Sequence, residues 1–130
     1  MILVDSSVWI SYLNGIRSRE TDFLDETLGQ IPILIPDLVY MEVLQGFRED
    51  RSFEEVKTFL DEFPFAELGG KELALLSARN FRELRKKGIT VRKTIDCYLA
   101  TFCIQKDLKI LHADRDFAPF VQFLGLKSIF

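Results

Sequence analysis

The sequence predicts an α/β sandwich built on a mostly parallel central sheet. Short apolar runs recur along the chain, and longer stretches with apolar residues at helical spacing separate them. Prolines and glycines mark the joints. Strands that alternate with helices in this way form a parallel sheet with right-handed crossovers.

The first strand is "ILV" at residues 2–4, and "SSVWISYLNG" follows as a helix that Ser6 or Ser7 can cap and Gly15 ends. A second helix over about residues 18–28 places Phe23, Leu24 and Leu28 on one side before Gly29. "PILIP" is a strand held between two prolines, and "DLVYMEVLQGF" is the third helix. "SFEEVKTFLDEF" is amphipathic, with Phe53, Val56, Phe59 and Leu60 sharing a side. "FAEL" reads as a strand. "KELALLSARNFRELRKKG" is a long helix closed by Gly88, with basic residues near its negative end. Thr94 is placed to cap "IDCYLATFCIQKD". "KILH" is a strand, "DFAPFVQFLG" a short helical piece and "LKSIF" an edge strand.

A chain of 130 residues suits one domain spanning residues 1–130. At 48% hydrophobic and 28% charged it has the composition of an ordinary globule. No apolar run approaches the roughly 20 residues that cross a bilayer, so no membrane role is expected. "MILVDSSVWI" has no basic leader and carries Asp5 inside its apolar run, unlike a signal peptide. Cys97 and Cys103 fall in one helix on different faces, roughly 9 Å apart along its axis, so they do not pair. Reduced thiols imply a cytoplasmic protein. A lone His112 without a CxxC pair argues against structural zinc. Net charge is −3, but "RNFRELRKKGITVRK" holds seven of the 17 basic residues against one acid, Glu83.

The chemistry lies in the acids. Ligands of parallel sheets bind outside the carboxyl ends of the strands. Asp5 ends the first strand, and Asp114 and Asp116 follow "KILH", so parallel neighbours would put all three on one rim. Glu42 and Asp96 sit in apolar helical company, where a carboxylate is costly unless it is neutralised. Each acid alone has a structural role available: Asp5 as a helix cap, Asp96 on a helix dipole, Glu42 half-exposed, Asp114 and Asp116 as turn residues. His112 reads as a packed strand-end residue. If the acids converge, their repulsion calls for a hard divalent cation, Mg²⁺ or Mn²⁺. Such an ion activates water against a phosphodiester.

"ILVDSSVWI", "MEVLQG", "GITVRKTIDCYLA" and "ILHADRDF" resemble, in order and spacing, the PIN-domain ribonucleases, and most closely the VapC toxins of prokaryotic toxin–antitoxin pairs. The resemblance covers nearly the whole chain and implies a three-layer α/β/α PIN-like fold. It implies a Mg²⁺-dependent endoribonuclease acting on structured RNA, transfer or ribosomal. The family's catalytic acids map onto Asp5, Glu42, Asp96, Asp114 and Asp116, with Asp5, Asp96 and Asp114 on the metal and Ser7 supporting the site. Either Asp114 or Asp116 can be the direct ligand. The resemblance also implies a homodimer and a VapB-type antitoxin lying in an apolar groove, for which Trp9, Tyr12, Leu13, Phe47 and Phe59 are candidates.

Arg85, Lys86, Lys87, Arg92 and Lys93 are the candidate RNA contacts, because phosphate neutralisation dominates affinity. A solvated helix end is the alternative for that run. Rival readings of the whole chain are a catalytically silent PIN module that binds RNA or protein, and a structure-specific DNA nuclease. A phosphoacceptor receiver domain ranks below both, lacking paired acids after the first strand and a lysine after the last.

Overall fold

The computed structural model describes residues 1–130. The elements are β1 (Ile2–Val4), α1 (Ser6–Leu13), α2 (Arg19–Thr27), β2 (Ile33–Pro36), α3 (Asp37–Gln45), α4 (Asp50–Leu60), β3 (Phe65–Ala66), α5 (Lys71–Lys86), α6 (Thr94–Lys106), β4 (Lys109–Leu111), a 3₁₀ turn (Arg115–Phe117), α7 (Ala118–Leu124) and β5 (Lys127–Ser128). The sheet runs β3-β2-β1-β4-β5 and every pairing is parallel, not merely most of them.

Register places the rim. Val4 lies opposite Leu111, and the Asp5 N–H donates to the Leu111 carbonyl at 2.9 Å. β2 and β3 are laid out to one side of β1, and β4 and β5 to the other. Right-handed crossovers then put α1–α4 on one face and α5–α7 on the other, as the contacts among α1, α2, α3 and α4 and among α5, α6 and α7 show. The result is a three-layer α/β/α sandwich. Its topological switch point falls between β1 and β4, where open parallel sheets place their ligands.

Buried Leu3, Val4, Ile33, Ile35, Ile110 and Leu111 form the sheet's part of the core, which Val8, Leu24, Val39, Leu84, Leu99 and Phe120 complete from the two helical layers. The central strands are apolar on both faces because both are covered. The outer strands are shorter than the sequence suggested. Only Phe65–Ala66 of "FAEL" and Lys127–Ser128 of "LKSIF" pair, since each has a neighbour on one side alone. "DFAPFVQFLG" opens as a 3₁₀ turn because Pro119 occupies the first turn of α7.

Of the cap candidates for α1, Asp5 is the one used, in place of Ser6 or Ser7, accepting from the Ser7 N–H. The cap of α6 differs from expectation. Lys93 takes the N-cap position of α6 without a side-chain cap bond, and Thr94 is already helical. Gly88 closes α5 as expected, at φ 82°, where a side chain would be strained.

Trp9 is a correction. It is fully buried, with its ring edge-to-face against Phe59 at 5.9 Å and Phe63 at 5.4 Å, so it is core and not groove lining. Its position on α1 turns it inward between α1 and α4. Trp9→Ala is accordingly expected to cost about 3–5 kcal/mol of stability, read by urea denaturation. A loss under about 1 kcal/mol would mean that the ring is exposed in solution.

Candidate metal centre

The fold brings the acids together from four places in the sequence. Asp5 leaves β1, Asp114 and Asp116 follow β4, and the first turn of α6 supplies Asp96. Because α6 runs back to β4, its N-terminus lies at the carboxyl edge of the sheet. Glu42 arrives from the second turn of α3. Carboxylate oxygens of Asp96, Asp114 and Asp116 lie within 4.8 Å of one another. Asp5 and Glu42 are close enough to raise the proton affinity of Asp96 by repulsion.

Ser7 ties the rim together. Its hydroxyl donates to Asp5 Oδ2 at 2.6 Å and accepts from the Ala113 N–H at 3.2 Å, bridging the β1 end to the β4 loop. Asp114 Oδ1 accepts from the Asp116 N–H at 2.9 Å, which fixes the turn carrying both acids. The cap role foreseen for Asp5 and the turn role foreseen for Asp114 are therefore real, and the clustering comes in addition to them.

The electrostatics are those of crowded anions. Burial, followed by the charges of Asp5, Asp114 and Glu42, pushes Asp96 up to about 6, against the attraction of Lys93. Asp5 is raised by burial, though Ser7 and Ser6 donate to it. Glu42 is raised by burial and then by the Asp5 charge. Asp116 is lowered, chiefly by its hydrogen bond from Arg92. Asp96 Oδ2 is buried with no hydrogen-bond partner. A buried carboxylate oxygen with no donor to accept from is expensive. A cation among three carboxylates would satisfy it, and all-oxygen donors suit Mg²⁺ or Mn²⁺ rather than zinc. The residues present therefore fit a hard divalent ion.

The predicted basic run divides in two. Arg92 donates to Asp116 at 2.7 Å and Lys93 to Asp114 at 3.5 Å, so both lie against the acids. Arg85, Lys86 and Lys87 stay exposed at the end of α5, with Arg85 over the Phe81 ring and Lys87 over the Phe123 ring. His112 is half-buried, 4.9 Å from the Phe117 ring centroid, and its Nδ1 accepts from the Asp114 N–H, as a packed strand-end residue would. Cys97 and Cys103 are buried and unpaired. Among the remaining groove candidates, Tyr12, Leu13, Phe47 and Phe59 are half-buried against the core, and the Tyr12 hydroxyl donates to Asp25. One cation went unnoticed in the sequence. Arg115, between the two aspartates of "HADRDF", is exposed and borders a recess beside Asp116. Its signal was that flanking pair.

A parallel three-layer sandwich with carboxylates gathered at its switch point defines a class, that of α/β proteins built to hold a divalent cation on the sheet rim. Within that class the chain belongs to the PIN-domain family, whose family model, "PIN domain", matches residues 2–120. It is 26% identical over 132 residues to "VapC ribonuclease Mb1587" of Mycobacterium bovis, covering 98% of this chain and 97% of that one. The same identity and coverage relate it to "Ribonuclease VapC11" of Mycobacterium tuberculosis. Its fold is similar to that of VapBC2 from Rickettsia felis, solved bound to a DNA fragment from their promoter, with a TM-score of 0.77 at 15% identity over 98% of this chain and 97% of that one. No helix is long and apolar enough to cross a membrane.

Proposed function

We propose that the chain is a Mg²⁺-dependent endoribonuclease, the toxin half of a type II toxin–antitoxin pair, hydrolysing phosphodiester bonds in structured RNA such as transfer or ribosomal RNA. The observation that carries this reading is the unpartnered Asp96 Oδ2 among the carboxylates of Asp114 and Asp116. The names of the mycobacterial relatives, both ribonucleases, support it. An antitoxin of VapB type as partner is supported by the VapBC assembly whose fold this chain shares. A homodimer working in the cytoplasm completes the reading.

Asp5, Asp96 and Asp114 would hold the ion. When bound, a divalent cation supplies a water of lowered pKa and stabilises charge developing on the phosphate. Ser7 fixes Asp5 through two hydrogen bonds, one from its hydroxyl and one from its N–H. Glu42, with its proton affinity raised toward working pH, is suited to take a proton from the attacking water. Asp116 orients that water or completes the ligand set. Arg92 and Lys93, at the mouth of the cluster, draw in the substrate phosphates. The antitoxin segment lies over half-buried Tyr12, Leu13, Phe47 and Phe59.

Purified chain is expected to cleave bulk transfer or ribosomal RNA in Mg²⁺, to stop in EDTA and to resume when Mg²⁺ or Mn²⁺ is restored. Its expression without a partner should arrest growth, and Asp5→Ala should relieve the arrest. Cleavage that persists in EDTA, or equal arrest by both chains, overturns the reading.

A further inference from the structure

Beside Asp116 the surface opens into a recess of ≈ 300 Å³. Its lining includes Ile89, Thr90 and Val91, from the loop after α5, and Pro119 at the start of α7. Arg92 and Arg115 border it from the two segments that carry the acid cluster's cations and anions. Their situations differ. Arg92 is held by Asp116 at 2.7 Å, whereas Arg115 makes no ion pair within the chain. With Asp116 also on its border, the recess carries two positive charges against one negative.

We propose that this recess is a nucleotide subsite, in which Arg115 binds the phosphate next to the one being cleaved and the apolar lining of Ile89 and Val91 receives the attached ribose and base. The proposal rests on the nuclease reading and adds to it a substrate-binding residue outside the acid set. Three observations converge on it. The volume lies at the lower end of small-ligand pockets, the scale of one nucleotide unit rather than a duplex. Position is the second, since Asp116 belongs to both the recess and the acid cluster, so the recess adjoins the cluster and a strand leaving the cluster on that side meets Arg115. Charge is the third. A planar guanidinium with no internal ion pair is the side chain best matched to a phosphate's paired oxygens, and Thr90 adds a hydroxyl to the lining. A single strand is implied, because a base can enter a narrow recess only when it is unstacked.

The test uses a fluorescein-labelled single-stranded RNA of mixed sequence and the full chain. Cleavage in Mg²⁺ is followed first with the intact protein. Binding is then measured in the Asp5→Asn background, which removes turnover, with and without Arg115→Gln, over a range of salt. Arg115→Gln is expected to weaken binding roughly three- to tenfold and to lower the salt slope by about 0.7, the loss of one single-strand phosphate contact. An RNA with a neutral methylphosphonate at one position flanking the cleaved bond should bind equally well with and without Arg115→Gln, while the same replacement elsewhere should leave the difference in place. If the intact chain cleaves the RNA but Arg115→Gln leaves slope and affinity unchanged, the subsite is wrong and the nuclease reading stands. If the intact chain neither binds nor cleaves, both fall.

Discussion

Asp96→Asn is expected to abolish Mg²⁺-dependent cleavage and, in EDTA at neutral to alkaline pH, to melt several degrees above the unsubstituted chain. Both effects come from the same atoms. Asp96 is buried, its Oδ2 has no partner, and burial together with the nearby charges raises its proton affinity to about 6. Above that pH the metal-free protein carries a buried anion that the fold does not satisfy. A displacement of that size corresponds to a cost of order 1–3 kcal/mol, which a domain of this length registers as several degrees in Tm. Asparagine keeps the shape, removes the charge and offers an N–H₂ to the neighbouring carboxylates. The favourable interaction of Asp96 with the α6 N-terminus is lost, at about 0.5 kcal/mol, and does not reverse the sign. Catalysis goes the other way. Groups that merely orient metal ligands change affinity or activity by about 10–100-fold when removed, so a direct ligand should cost more than about a hundredfold. Calorimetry in EDTA and a cleavage time course in Mg²⁺ read the two effects on one preparation. A lower Tm for Asp96→Asn would show the carboxylate to be a net stabiliser, and the strained-cluster account would be lost.

That opposition between stability and function explains why the acids were legible in the sequence at all. A carboxylate inside "TIDCYLATFC" or "LVYMEVL" conflicts with its apolar neighbours, and local conflicts of this kind mark functional positions. The order of the elements was legible for a related reason, since "ILV", "ILI" and "KIL" are continuous apolar strands, the pattern of a sheet covered on both faces. What the sequence did not contain was adjacency. Whether β1 and β4 are neighbours depends on where the chain reverses its direction of crossover, and no local pattern records that.

The apolar surface was less legible than the acids. Trp9, Tyr12 and Leu13 lie along one short helix, yet Trp9 is fully buried while the other two are half-buried. Helical spacing ranks residues by face but cannot say which face meets a second layer, and α1 has neighbours in both α2 and α3. The basic run hides a division of its own. Its seven cations are close in sequence, but the turn at Gly88 separates α5 from the loop that meets the acids. Arg92 and Lys93 therefore stand against carboxylates, while Arg85 and Lys87 lie over aromatic rings.

The metal-free chain should become less stable between about pH 4 and about pH 7, and saturating Mn²⁺ should remove that fall. Asp96, Asp5 and Glu42 all bind protons more tightly folded than unfolded. A raised carboxylate contributes stability that is complete below its unfolded value and is lost as pH rises through its folded value, which for Asp96 is about 6. Asp116 is shifted the other way, but a lowered carboxylate acts below its ordinary value of 3.8, outside this window. His112 does oppose the trend. Burial lowers it from 6.5, so the unfolded chain holds that proton more tightly and stability from this group rises with pH. One opposing histidine against three carboxylates leaves a net fall. A bound divalent ion replaces those protons, so its affinity grows as they leave, and at about 100 times its Kd it adds roughly 2.7 kcal/mol. Urea denaturation across this range should give a falling curve in EDTA and a level or rising one in Mn²⁺. Parallel curves would mean that the carboxylates titrate independently of the ion, and a metal centre on this rim could not be maintained.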